Sequence, residues 1–194
     1  YIGYVSSIIA FAISIAALIR KELSTSMLEL MKRWTLFSWS FLTLGVSLGG
    51  WWAYRELGWG GYWFWDPVEN ASLVPWLTLV AGLHTNMIAK STGYSLRPTY
   101  FFYIVSFLLI LYSTFLTRSG ILGDTSVHAF TDLGMSGQLV IYILVFLGIG
   151  SYLLIKNWKH FPRTKKDEET LYALPLPASE LPLRLPEVEN YQPS

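Results

Sequence analysis

Long apolar stretches alternate with short polar segments along most of this chain. Five stretches stand out, at residues 1–19, 34–53, 67–89, 99–117 and 137–157. Each is close to the ~20 residues that a helix needs to cross the ~30 Å hydrocarbon core of a bilayer. One such stretch would also suit a buried helix of a soluble protein, but five in succession favour membrane spans. The pattern predicts an all-α membrane protein, a polytopic transmembrane helical bundle of about five spans.

Composition agrees with this prediction and excludes several classes of protein. Of 194 residues, 53% are hydrophobic and only 14% are charged, against roughly 25% charged residues in soluble domains. The net charge of +1 gives no reason to expect a nucleic-acid partner. The chain has no cysteine, which excludes a disulfide framework and a zinc–thiolate site. Because it begins at Tyr1 and not at Met, we expect a fragment or a processed product.

Lysine and arginine are concentrated in alternate connections and after the last stretch. Eleven of the 14 cations lie there: Arg20, Lys21, Lys32, Arg33, Lys90, Arg97, Lys156, Lys159, Arg163, Lys165 and Lys166. Cytoplasmic loops carry an excess of these residues. We therefore expect the first, third and fifth spans to end in the cytoplasm, and connections 51–66 and 118–136 to face outward.

The end of the chain differs in character from the rest. Residues 162–194 hold six of the nine prolines and a run of Lys, Asp and Glu. Such a composition disfavours regular helix and a packed core. The sequence thus predicts a helical bundle over 1–161 and a disordered cytoplasmic tail over 162–194.

The segment from Trp51 to Trp65 is the most informative part of the sequence. Eight of its 15 residues are aromatic, and three glycines interrupt them. Trp and Tyr favour the membrane interface, so a belt at the span ends is one interpretation. Belts usually place one or two such residues at each end, and glycines permit close approach. A platform for a flat apolar ligand is therefore favoured over a belt.

A helix start follows this segment directly. Asp66 is a preferred N-cap residue, Pro67 suits the first helical position, and Glu69 provides the acid of a capping box. Capping alone accounts for both carboxylates. The sequence therefore assigns neither of them to acid or base catalysis, and it indicates no catalytic side chain elsewhere.

These motifs together resemble a known family. The run WGGYWFWDPVENAS at 59–72 is similar to the tryptophan-rich "WWD" signature of haem-handling membrane proteins. The stretches TRSG at 117–120 and SVHAF at 126–130 narrow the resemblance to the CcmF and NrfE family of haem lyases, over about residues 1–162. The resemblance implies a multi-pass protein of the bacterial inner membrane, with the tryptophan-rich segment facing the periplasm.

The resemblance assigns roles to two of the three histidines. His84 lies in the third stretch, where an ionisable residue is a functional candidate and a histidine bonded to a neighbouring helix is an equal alternative. The resemblance implies that His84 is an axial ligand of a resident haem b. It likewise implies that His128 is an axial ligand of an outer haem, although a loop histidine alone is usually an ordinary polar residue. The partner ligands would lie outside this chain, and His160 is expected to be an ordinary surface residue.

The surroundings of the outer haem are also implied. Its platform would comprise Trp51, Trp52, Trp59, Trp63, Trp65 and Asp66. Arg55 and Arg118 are the cations of the outward connections, so we expect them to bind haem propionates, with anchoring of helix ends as the alternative. The implied partners are haem, apocytochrome c, a haem chaperone, thiol-reducing and apocytochrome-binding maturation subunits, quinol and the lipid bilayer.

The implied function is cytochrome c maturation, as a haem lyase component that holds haem on the outer face and joins it to apocytochrome c. Three alternatives stay open. One is haem transport or chaperoning of the CcmC type without ligation, against which the intramembrane His84 argues. A second is part of a single-chain cytochrome c synthase. The third is a solute transporter whose aromatic loop binds a sugar or a cation, which would show no haem spectrum.

Overall fold

Five α-helices make up the regular secondary structure of the described residues. The computed structural model describes residues 1–56, 61–123, 125–126 and 134–161. The helices are α1 (Ile2–Arg20), α2 (Thr25–Glu56), α3 (Pro67–Thr92), α4 (Leu96–Arg118) and α5 (Ser136–Asn157). All described residues belong to one compact unit, Tyr1–Arg163. The predicted all-helical bundle is confirmed, whereas the predicted disordered tail at 162–194 lies outside the described residues.

Four helices of the described part are long and apolar enough to cross a membrane, namely α1, α3, α4 and α5. The second predicted span behaves differently. Helix α2 has 32 residues, but its apolar stretch contains many Ser, Thr, Gly and Trp residues. Its mean hydropathy is therefore lower than that of the other four helices. It also starts nine residues before the predicted boundary of 34 and runs past 53 to Glu56. Because α2 packs against both α1 and α3, its crossing of the membrane stays a prediction that packing supports.

Small residues set the distances between neighbouring helices. A Cβ atom added to Gly3 of α1 would lie 2.7 Å from the backbone nitrogen of Leu42 on α2. A Cβ atom at Gly82 of α3 would lie 2.8 Å from the ring of Tyr103 on α4. Such close approaches are typical of membrane helices, which associate through tight packing. These glycines therefore let α1 pack closely on α2, and α3 on α4.

Polar contacts tie the helices together at the end that carries the predicted cytoplasmic connections, here called the cationic end. Glu29 of α2 accepts hydrogen bonds from Lys90 of α3 and from Arg33. The hydrogen bond from Lys90, and to a smaller extent that from Arg33, holds the pKa of the Glu29 carboxyl below its usual value of 4.5. Nearby, the Asn86 side chain donates to the carbonyl of Leu28 over 3.0 Å. The segment before 34, which the hydropathy pattern leaves out of the span, thus belongs to the α2–α3 interface.

Candidate functional site

The tryptophan-rich segment begins on a helix and not in a loop. Trp51, Trp52 and Arg55 belong to the last turns of α2, and both indoles are half exposed. The guanidinium of Arg55 lies over the Trp51 ring, 5.3 Å from its centroid. Arg55 is also in the last helical turn, where a cation interacts favourably with the helix dipole. The sequence predicts a connection for these residues, because hydropathy falls before the helix ends.

The chain then returns towards α3 through residues 61–66. The Tyr62 ring stacks on that of Tyr54 in α2, with centroids 4.6 Å apart. Trp63 is partly buried, and its indole Nε1 has no hydrogen-bond partner in the part of the chain that the structure describes. Trp65 is 74% exposed and has a φ of 59°. Trp59, another predicted member of the platform, lies outside the described residues.

Asp66 caps α3 as predicted. Its carboxylate accepts from the backbone N–H groups of Val68, at 2.9 Å, and Glu69, at 3.3 Å. The reciprocal bond of the predicted capping box is replaced by another contact: Glu69 accepts from the N–H of Phe64, at 3.0 Å. Both acids at the start of α3, the N-cap Asp66 and Glu69 in the first turn, therefore accept hydrogen bonds from backbone N–H groups. Glu69 anchors the returning segment to the helix.

A contact that sequence reasoning missed joins the second predicted outward connection to this cap. The Ser126 hydroxyl donates to Asp66 Oδ2 over 2.8 Å, across 60 residues of sequence. Ser126 is 7% exposed. It opens the SVHAF stretch that carried the family resemblance, but no local pattern identifies Asp66 as its partner. The two predicted outward connections therefore meet at one carboxylate.

A cavity of about 420 Å³ opens beside this meeting point, between α1, α2, α3 and α4. Pockets for small molecules and cofactors typically measure about 300–1,000 Å³. Trp52, Trp63 and Arg118 of the predicted site line it. Within the described residues, Trp51, Trp65 and Arg55 are not part of that lining. Two of the six predicted platform residues, Trp52 and Trp63, thus share one cavity with Arg118.

Hydroxyl groups and one cation form the wall of the cavity opposite α2. Arg118, in the last turn of α4, donates from Nη2 to the Tyr1 hydroxyl over 3.0 Å. Below this pair, the hydroxyls of Tyr4 and Ser113 are 2.9 Å apart and link α1 to α4. The α2 side is mostly apolar, with Phe41, Leu42 and Val46 among its residues. The cavity is therefore amphipathic, and its lining carries one cation, Arg118, and one carboxylate, Glu69, which accepts from the N–H of Phe64.

His84 lies in α3, six residues before Lys90 and on an exposed face of the helix. At 1.5 Å per residue it stands about 25 Å from Pro67, towards the cationic end. Its Nδ1 is 2.8 Å from the carbonyl oxygen of Val80. Since that oxygen only accepts, the bond requires the tautomer protonated at Nδ1, which leaves the Nε2 lone pair available to a ligand. His128 lies outside the described residues, and His160 is exposed at the end of α5.

Comparisons with known proteins agree on one family. A family model described as "Cytochrome C assembly protein" matches residues 1–122. The chain is 45% identical over 157 residues to "Cytochrome c-type biogenesis protein NrfE" of Haemophilus influenzae, covering 79% of the chain and 24% of that relative. It is 43% identical over 165 residues to "Cytochrome c-type biogenesis protein CcmF" of Escherichia coli, covering 85% of the chain and 25% of that relative.

A solved structure supports the fold. The structure titled "Cytochrome c Heme Lyase CcmF" matches with a TM-score of 0.65 and 37% sequence identity, over 80% of this chain and 24% of that one. This chain therefore spans about a quarter of the length of the relatives that it matches.

Proposed function

The chain belongs to the cytochrome c assembly protein family, and we propose that it handles haem in cytochrome c maturation, as part of a haem lyase of the CcmF and NrfE kind. In this proposal it spans the bacterial inner membrane, with the cavity and the tryptophan-rich segment at the periplasmic face. The observation that carries the proposal is the cavity that Trp52, Trp63 and Arg118 share. It offers flat aromatic surfaces, a volume suited to a cofactor and a cation in one place.

The residues of the cavity fit haem as the substrate. Indole rings suit the faces of an apolar macrocycle, because flat aromatic surfaces stack favourably. The Arg118 guanidinium suits a propionate, since arginine binds carboxylates in a bidentate manner. Trp51, Trp59, Trp65 and Arg55 would flank the site. Asp66 would act through position only, because its carboxylate already accepts from α3 and from Ser126.

The Ser126–Asp66 hydrogen bond supports a role for His128 at the same site. His128 follows Ser126 by two residues, and two residues of chain span about 7 Å at most. Ser126 is held at the cap of α3, beside the segment that carries Trp63. We therefore propose His128 as an axial ligand of the outer haem, with the second ligand supplied from outside this chain.

His84 fits a separate, resident haem b. The bond from its Nδ1 to Val80 orients the ring and leaves Nε2 to face outward from the bundle. Neutral imidazole is a common axial ligand of haem iron. The exposed face of α3 requires another helix to supply the second ligand, which agrees with the length of the relatives. When bound, this haem would supply electrons that keep incoming iron reduced, and quinol is the proposed donor.

The covalent step would use groups that partners bring. Two cysteine thiols of apocytochrome c would add across the two vinyl groups of haem, forming C–S and C–H bonds without a leaving group. This chain would contribute by positioning haem and excluding side reactions. Thiol-reducing and apocytochrome-binding subunits would present the cysteines, and a haem chaperone would deliver haem.

The decisive experiment separates the two haem sites. The full chain is purified from membranes in detergent, and reduced-minus-oxidised spectra are recorded for wild type, His84→Ala and the matched control His160→Ala. Added haem is then titrated against wild type, His128→Ala and Trp52→Ala. We expect His84→Ala to lose a b-type spectrum and His160→Ala to match wild type. We expect His128→Ala and Trp52→Ala to bind added haem at least about 10-fold more weakly than wild type.

The opposing result is a folded wild-type chain that binds haem at neither site. The same result after co-expression with the remaining segments of Escherichia coli CcmF would contradict the proposal. Haem transport without ligation would instead retain both binding signals and form no thioether bonds with apocytochrome c in the co-expressed system.

A further inference from the structure

Two glycines of α2 lie along the cavity and face open space. Gly45 and Gly49 line it one helical turn apart, and a Cβ atom added at either position would meet nothing within 4 Å. Glycine inside a helix is less favourable than alanine by about 1 kcal/mol. Neither position has the left-handed backbone that would require glycine. Helix formation therefore does not explain these two residues.

Other glycines nearby have a packing explanation that these two lack. Gly3 is needed because the backbone of Leu42 lies against it, and Gly50 because the carbonyl oxygen of Tyr62 does. Gly45 and Gly49 share a helix face with Leu42 and Trp52, by their i, i+3 and i+4 spacing. From Phe41 to Trp52 the lining of the cavity runs about 16 Å along α2, at 1.5 Å per residue.

We infer that Gly45 and Gly49 determine which ligand the cavity admits, by leaving the space into which the haem macrocycle fits beneath Trp52 and Trp63. This inference rests on the proposed function, and it adds two steric specificity determinants to that site. A side chain at either position would project into the cavity and remove volume that a rigid macrocycle needs. The role of the two glycines depends only on their having no Cβ atom, and not on any contact that they make.

The walls of the cavity favour a flat amphipathic ligand over two other occupants. A lipid tail would suit the apolar α2 side but not the hydroxyls of Tyr4 and Ser113 or the guanidinium of Arg118. A G-x-x-x-G face can also dock a second membrane helix. Here, however, residues of α1, α3 and α4 already line the cavity on which Gly45 and Gly49 lie, together with Trp63 of the returning segment. A docked helix would have to compete with these neighbours for the same face.

The test adds volume where the protein has room for it. Gly45→Leu and Gly49→Leu are made in the full chain, with Gly148→Leu on α5 as the matched control. Gly148 is also an exposed helical glycine with nothing within 4 Å of an added Cβ atom, but it does not line the cavity. Ferric haem is titrated in a His84→Ala background, so that only the outer site reports, through the Soret band and tryptophan quenching.

We expect each leucine variant of α2 to bind haem at least about 10-fold more weakly, and Gly148→Leu to bind within twofold of its background. Gly49→Ala adds only one methyl group. It should fold even where the leucine variants do not, and it should weaken haem binding less than they do. Circular dichroism and thermal unfolding establish that the variants are folded.

Folded leucine variants that bind haem as tightly as their background would overturn the inference while leaving the proposed function intact. A second result would likewise overturn it and assign the face to a docked helix. In that result, the background protein cross-links to a second copy of itself, and the leucine variants lose this cross-link but bind haem unchanged. Absence of haem binding in the wild-type chain, both alone and co-expressed with the remaining segments of Escherichia coli CcmF, is a different outcome, because it contradicts the proposed function itself.

Discussion

The strongest prediction about stability concerns the contact between Asp66 and Ser126. Replacing Asp66 by alanine removes the cap of α3 and the acceptor of the Ser126 hydroxyl together. Loss of an N-cap costs about 1 kcal/mol, and a hydrogen bond to a charged group contributes about 1.5–3 kcal/mol. Asp66→Ala should therefore lower the free energy of unfolding by about 2–4 kcal/mol. Asp66→Asn keeps an acceptor oxygen and the cap, and should cost much less.

The measurement is a double-mutant cycle over Asp66→Ala, Ser126→Ala and the double variant. Thermal unfolding in detergent is followed by far-ultraviolet circular dichroism. For a chain of this size, 1 kcal/mol shifts the Tm by about 2–4 °C, so Asp66→Ala should melt roughly 5–15 °C lower. Additive effects, within about 0.5 kcal/mol, would refute the reasoning, because the two predicted outward connections would then not be coupled through this bond.

Two further predictions use the same unfolding assay. Glu29→Gln should lower the Tm at pH 7, since Lys90 holds the Glu29 pKa below 4.5. The stabilisation exists above that pH and is lost as the pH falls through the lowered pKa, so wild type and variant should converge in acid, and a constant difference would contradict the assignment. Gly82→Ala should destabilise the bundle by about 1–3 kcal/mol, because its Cβ would lie 2.8 Å from the Tyr103 ring. Gly148→Ala, with open space, should be neutral or stabilising, and equal effects at the two glycines would count against the packing argument.

Local signals predicted much of the fold. Hydropathy located all five helices, because burial in lipid or in a helix interface demands long apolar stretches. The start of α3 was predicted to the residue, since Asp66 and Pro67 act through bonds and angles within one turn. Arg55 and Arg118, assigned from the sequence to the outward connections, instead lie in the last turns of α2 and α4.

What the sequence left open depends on contacts between distant segments. The first turns of α2 are polar and resemble a loop, yet Leu28 and Met31 are buried in the helix interface and Glu29 pairs with Lys90. The division of the tryptophans is also tertiary. Trp52 reaches the cavity and Trp51 does not, because successive helical residues point about 100° apart.

The backbone at Trp65 has a consequence for how the protein responds to selection. A φ of 59° is unfavourable for a bulky residue and comfortable for glycine. The first turn of α3 holds this conformation, since Asn70 donates to the Trp65 carbonyl over 2.9 Å. The indole is mostly exposed, so packing against the described residues offsets little of the strain. Variants selected for thermostability alone should therefore acquire glycine at position 65. Variants selected for haem retention should keep tryptophan there, so selection for stability and selection for function would favour different residues.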